Sequence, residues 1–461
     1  MVFSSIEFIG IFLPILFFLY MPVNNKKKKW VLFIGSLVFY AIGEPYYVLL
    51  LMASLVFNYA LCKRMAQSKS HKKLILCILL LWNFGLLLFF KYFDFIAANI
   101  NTLCGKELLP ILHLALPLGI SFYTFQMAAY QIDVYQGTQK ESSGFSEFGI
   151  YVSMFPQLVA GPIVQFREVE RSIKNPNFLM KNVEDGLKLF TLGLGSKVLL
   201  ANQISTLFNT IQGIGASHLD LSMAWLGAFS YSFQIYFDFW GYSLMAIGLG
   251  RIFGYELPIN FNNPYMAKSA TDFWRRWHIT LSRWFREYVY IPFGGSRKGK
   301  LKTCRNLLIV WSLTGLWHGA NWNFILWGLF FFVLLVIEKM GPGDYLERHP
   351  FGGHLYCALI IPVSWMIFAQ TDLGTLLAYL KAMAGGNAGH ALVGTQQLLR
   401  YAKEYWFLFA VCFLCSTPLP MKAFNKYKNK KIVILMLFGI FWFSIYQIHI
   451  GKNNPFLYFR F

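Results

Sequence analysis

The chain alternates between long apolar runs and short polar breaks along its whole length. Residues 6–21 are the first run, and Lys26-Lys27-Lys28-Lys29 follows. Residues 30–42 and 46–62 come next, joined by Gly43-Glu44-Pro45, a tight break. A second basic stretch occupies 63–73. Apolar runs then recur at 74–93, 108–130, 183–208, 221–253, 306–338, 355–368, 406–415 and 432–449. Many approach the roughly 20 residues that cross a bilayer as helix. The pattern predicts an all-α polytopic membrane protein of roughly ten or more helices, forming one integral-membrane domain over 1–461.

Three stretches depart from plain crossings. Residues 153–163, Ser-Met-Phe-Pro-Gln-Leu-Val-Ala-Gly-Pro-Ile, are apolar but interrupted by Pro156 and Gly161-Pro162. Irregular backbone at membrane depth survives only where protein buries it or it lines a cavity. A re-entrant segment and a cytosolic loop resting on the interface both fit. Residues 306–338 are too long for one crossing, so a break is expected at Gly315 and Gly319. Between 268 and 305, basic residues interleave with Phe273, Trp274, Trp277, Trp284, Phe285 and Tyr288. That pattern predicts an amphipathic helix in the cytoplasmic interface, capped at Thr271-Asp272 and ended by Gly294-Gly295.

Composition supports the membrane reading. Of 461 residues, 56% are hydrophobic and 13% charged, against about 25% charged in soluble domains. Lys plus Arg number 41 against 21 acidic residues, a net charge of +20. In a membrane chain this excess marks cytoplasmic loops and gives no reason to expect nucleic acid. The basic stretches at 26–29, 63–73 and 422–431 then face the cytoplasm. The N-terminus lies outside, in a multi-pass protein of the cell membrane whose first partner is the lipid bilayer. Residues 1–20 carry no basic n-region or small-residue cleavage site, so they read as the first membrane helix. The seven cysteines are scattered, and Cys412 and Cys415 lie in an apolar run without a second pair. They read as buried small residues, and no metal site is expected.

Candidate chemistry centres on His318, in Thr314-Gly315-Leu316-Trp317-His318-Gly319-Ala320-Asn321-Trp322. A membrane-buried ionisable residue usually marks function. Burial favours the neutral ring, which can accept a proton. Gly315 and Gly319 suggest room for a ligand beside it. His278 lies in the basic, aromatic segment; the remaining histidines lie in loops or near helix ends. There is no GxSxG nucleophile and no phosphate-cradling loop. Arg275, Arg276, Arg283 and Arg286 fall within three turns of the expected helix. They could hold an anionic donor such as coenzyme A, or serve only as an orientation signal.

Several motifs in one order resemble the membrane-bound O-acyltransferase (MBOAT) family, in its alginate O-acetyltransferase branch. They are Met154 to Ile163; Tyr236-Phe237-Asp238-Phe239-Trp240-Gly241-Tyr242-Ser243; Asp272-Phe273-Trp274-Arg275-Arg276-Trp277-His278-Ile279-Thr280-Leu281-Ser282; Tyr290-Ile291-Pro292-Phe293-Gly294-Gly295; Leu313 to Ala320; and the closing Asn454 to Phe461. The resemblance implies a helical bundle around a transmembrane tunnel, with a thioester donor arriving from the cytosol and an acceptor from outside. It implies that His318 is the catalytic histidine and His278 the second family position. Around these two histidines, Trp274, Arg275, Arg276, Trp277, Arg283, Arg286, Trp317 and Asn321 are the candidate substrate-binding residues. Trp240, Leu244 and Ile259 stand where relatives often carry Ser, Asp and Glu. The expected reaction is O-acetylation of an exported polysaccharide from acetyl-CoA as co-substrate, with no resident cofactor, through an extracytoplasmic acetyltransferase partner. The alternatives are D-alanyl transfer to teichoic acid from a carrier protein, and a proton-coupled transporter with His318 as relay. Transport would favour inverted repeats, which the sequence does not display.

Overall fold

A computed structural model of the chain describes residues 1–139, 143–387, 395–451 and 456–457. Every regular element among them is helical. Five helices are long and apolar enough to cross a membrane. They become six if Gln396–Ser416 and Leu419–Tyr427, bent by 70°, form one span. The fold is that of an all-α polytopic membrane protein. Its residues form two compact units, Met1–Thr191 with Tyr242–Ile259, and Leu192–Gly241 with Asn260–Phe461.

The first unit contains the spans Tyr47–Gln67 and Lys72–Cys104. The lysine run at 26–29 is not a loop but the start of the helix Asn25–Gly43. The Asn24 side chain caps it by accepting from the Lys26 amide at 3.2 Å. Lys28 is buried, and its ammonium donates to the carbonyls of Tyr20 at 2.9 Å and Met21 at 3.2 Å. It thus satisfies carbonyls at the end of the preceding helix. The expected run at 108–130 is helical only from Ile120. Pro110 and Pro117 interrupt the stretch before it, since proline cannot continue a hydrogen-bonded helix. Residues 153–163 are buried throughout, with a single helical turn, Phe155–Leu158. Their irregular backbone is enclosed by protein and does not rest on a surface.

Six helices of the second unit carry the candidate site. Helix α1 (Leu221–Ile252) contributes its residues up to Gly241. The others are α2 (Ala270–Arg276), α3 (Ile279–Phe285), α4 (Lys300–His318), α5 (Trp322–Lys339) and α6 (Pro350–Ala369). The long apolar run breaks at Gly319, as expected, into the hairpin α4–α5. Gly315 is not a break. A side chain there would run into the Phe324 carbonyl, and one at Gly328 into the Trp311 carbonyl. The two glycines let the helix backbones approach directly, as small residues do between membrane helices. The space beside Gly319 is filled by the Phe324 ring. The room expected next to His318 is therefore taken by Phe324. Gly315→Val should force the hairpin apart, at a cost of about 3 kcal/mol or more. A thermal melt in detergent checks this; an unchanged midpoint would show that the hairpin can relax around the methyl groups.

The segment 268–305 is not one interfacial helix. Two seven-residue helices, α2 and α3, meet at His278, whose backbone is left-handed (φ 46°, ψ 51°). A π-helical turn, Arg286–Tyr290, follows. The cap of α2 is Ser269, whose hydroxyl accepts from the Asp272 amide at 3.0 Å, and not Thr271-Asp272. Helix α2 starts beside Glu338, near the end of α5. Trp274 packs on Trp311, Trp327 and Phe331, and His278 reaches Trp317. The helix therefore runs along the hairpin toward its His318 end. Its aromatic face is buried in protein, where the sequence pattern suggested lipid.

Candidate active site

His318 is the last residue of α4 and is 6% exposed. Three aromatic rings stand edge-on around its imidazole. Trp317 and Trp327 are each 4.9 Å away between centroids, and Phe368 is 5.0 Å away. Trp327 comes from α5 and Phe368 from the end of α6. Asn323 ties those helices together by donating to the carbonyls of Phe368 at 2.8 Å and Ile367 at 3.3 Å. The box around His318 is thus built by three helices joined at their ends.

His278 is fully buried. Its Nδ1 lies 3.1 Å from Oδ1 of Asn260. That oxygen also accepts from the Thr280 amide at 3.2 Å and the Thr280 hydroxyl at 2.9 Å. The Thr280 amide can only donate, so the Asn260 atom is the carbonyl oxygen and His278 Nδ1 carries the proton. Nε2 then keeps its lone pair, and it has no hydrogen-bond partner among the described residues. Outside the candidate spans, burial holds this imidazole well below its ordinary value, at about 3. Phe239 stands perpendicular to the ring at 4.8 Å, and Trp317 lies 5.8 Å away. Trp317 therefore contacts both imidazoles and brings the two predicted histidines into one cluster.

The left-handed backbone at His278 costs on the order of 1–3 kcal/mol. Two backbone bonds beside it hold the turn: Ile279 N–H to Asn260 O at 3.0 Å and Asn262 N–H to Arg276 O at 2.9 Å. Phe261 packs on Trp277 and Phe239, each at 5.0 Å. Asn260 is thus a site residue that the sequence reading missed. Its signal was its place directly after Ile259, the position noted there for its missing glutamate.

Glu338 was also missed. Its carboxylate accepts from the amides of Ala270 (2.6 Å) and Thr271 (2.9 Å), and from the hydroxyls of Thr271 (2.6 Å) and Tyr356 (3.1 Å). Hydrogen bonds to a charged group contribute about 1.5–3 kcal/mol each. Asp238, in the Phe-Asp-Phe motif, forms a buried ion pair with Lys197 at 2.5 Å and accepts from the Leu457 amide at 2.7 Å. Of the closing motif only Phe456 and Leu457 are described; 454–455 and 458–461 lie outside the described residues.

The other predicted residues are more dispersed. Trp274 and Trp277 are buried in aromatic packing, with Trp277 4.8 Å from Trp365. Arg275 is exposed and lies 3.7 Å from Glu347. Arg276 donates to Asp272 at 2.9 Å. Arg283 is half-buried on α3, and Arg286 is exposed on the π-helical turn. The four arginines do not share one helix, because the left-handed turn at His278 divides it. Asn321 is half-buried at the start of α5 and makes no capping bond. Among the described residues, no three His, Cys, Asp or Glu side chains are grouped as a metal site would need.

Known proteins resemble this chain in sequence. Residues 65–341, which enclose both histidines, match MBOAT, the membrane-bound O-acyltransferase family. The chain is 39% identical to the peptidoglycan O-acetyltransferase of Helicobacter pylori, over 84% of this chain and 80% of that protein. It is 31% identical to the probable alginate O-acetylase AlgI of Pseudomonas putida, over 100% of both. A teichoic acid D-alanyltransferase of Streptococcus thermophilus is 32% identical over only 48% of this chain and 56% of that protein. The chain belongs to the membrane-bound O-acyltransferase family. It is a multi-pass membrane O-acyltransferase, which sets the transporter reading aside.

Proposed function

We propose that the protein moves an acetyl group from a cytosolic thioester, acetyl-CoA, across the cell membrane for O-acetylation of an exported or cell-surface polysaccharide. In this reading the N-terminus is extracytoplasmic, a tunnel connects the two faces, and an extracytoplasmic acetyltransferase partner receives the acetyl group. No resident cofactor takes part. The observation that carries the reading is the pair of buried imidazoles in contact with Trp317.

His318 is the general base. It takes the proton of the acceptor hydroxyl as the oxygen attacks the thioester carbonyl carbon. The carbon–sulfur bond then breaks, and the departing thiolate takes the proton back from the His318 imidazolium, which restores the neutral base. His278 has a different role. Its Nδ1 proton is committed to Asn260, so Nε2 can accept a hydrogen bond but not donate one. It positions a donor N–H, such as an amide of the pantetheine arm, and does not polarise the carbonyl. Asn321, with no capping bond to make, supplies the oxyanion contact together with N–H groups of the helix break.

The test is transfer of labelled acetate from acetyl-CoA to base-labile esters of envelope glycan in membranes containing the protein. Label moving only from an acylated carrier protein would replace this reading with D-alanyl-type transfer. The same assay examines Arg275, Arg276, Arg283 and Arg286. Lysine keeps the charge but loses the planar fork. Each Arg→Lys change at a phosphate contact should raise KM for acetyl-CoA roughly tenfold with topology unchanged. Unaltered KM at all four positions would leave the arginines as an orientation signal.

A further inference from the structure

We propose that Glu338 is a positioning residue for acyl transfer, holding His278 in register with Trp317 and His318 through the start of α2. The proposal rests on the histidine roles given above. Helix α2 has seven residues, too few to be stable by itself. Its far end is held by the Asn260–Asn262 strip and its near end by Glu338.

The Ser269 hydroxyl caps only the Asp272 amide, and Glu338 takes the two amides before it, a role that a cap from within the segment could fill as well. What Glu338 adds is a connection between three helices. One oxygen, Oε1, takes the Ala270 amide of α2 and the Tyr356 hydroxyl of α6. The other, Oε2, takes the Thr271 amide and hydroxyl of α2. Glu338 itself belongs to α5. These helices lead to His278 by way of α2, to Trp327 on α5 and to Phe368 on α6, and the last two rings flank His318. Glu338 is 5% exposed, and all four bonds are charge-assisted, which makes its geometry demanding. Loosening it lets α2 slide along the hairpin, and a misplacement of about 1 Å in a reacting group costs roughly 10²-fold in rate.

The experiment compares Glu338→Ala, Glu338→Gln, His278→Ala and His318→Ala in the labelled acetyl-CoA assay, with thermal midpoints measured on the same preparations. Glu338→Ala should lower kcat about 10²-fold while KM for acetyl-CoA stays within about twofold. Glutamine keeps one acceptor oxygen for Ala270 and Tyr356 and can donate to the Thr271 hydroxyl, losing only the bond from the Thr271 amide. It should restore kcat to within about tenfold of wild type. A wild-type kcat in Glu338→Ala, with both histidine variants inactive, overturns the positioning role alone. So does a loss of kcat that glutamine does not rescue and that only follows the loss of folded protein. Full transfer in both histidine variants overturns the site reading and this proposal together.

Discussion

His318→Phe should fold and insert like the parent protein and lose acyl transfer. Phenylalanine keeps an aromatic ring among Trp317, Trp327 and Phe368, so it preserves the edge-on packing now made by the imidazole. It removes both nitrogens. If His318 is the general base, the rate falls by the typical worth of such catalysis, about 10²–10⁴-fold. His318→Ala should lose transfer equally and also destabilise the fold, by roughly 2–4 kcal/mol, because it empties the box. A histidine that serves only as packing gives the opposite order: His318→Phe active, His318→Ala impaired through instability. Initial rates of acetyl transfer, read beside thermal midpoints, separate the two outcomes. An active, stable His318→Phe variant would end the general-base assignment.

What could be read in the sequence was what depends on local pattern. Apolar runs set apart by charge and proline announced the spans, and Gly319 marked the break that leaves His318 at a helix end. Contacts made at a distance were hidden. The aromatic–basic alternation around 271–288 is the same for a helix facing lipid and one facing protein. The left-handed turn at His278 is held by bonds to Asn260, 18 residues earlier, and no local propensity predicts it. Glu338 lies 67 residues from the Thr271 amide it accepts from, too far along the chain for a local pattern to link them. Gly315 was expected to break the helix because the apolar run around it is too long for one crossing. It instead accommodates the Phe324 backbone, and only the folded hairpin reveals that. Among the predicted residues, folding gathered His278, Trp317 and His318. The arginines were divided because their common helix does not exist.

His278→Asn should retain the fold and reduce transfer about 10²-fold, mainly by misplacing the donor. Asparagine tolerates the left-handed backbone that position 278 requires, so the α2–α3 turn survives. The ring contacts to Phe239 and Trp317 and the Nε2 lone pair are lost. A companion change isolates the protonation state. In the wild type the imidazole, at about 3, stays neutral throughout the range near neutrality. Its charge therefore contributes no acid limb to the rate there. Asn260→Asp places a carboxylate against Nδ1, which stabilises the imidazolium and raises the His278 pKa. Below the raised value Nε2 is protonated and can no longer accept from the donor, so transfer falls as pH drops. A new acid limb in kcat/KM for acetyl-CoA is the expected signature, appearing in Asn260→Asp and absent from the Asn260→Asp, His278→Asn double variant. Identical pH profiles for wild type and Asn260→Asp, with near-wild-type transfer in His278→Asn, would show that the Nε2 lone pair has no part in holding the donor.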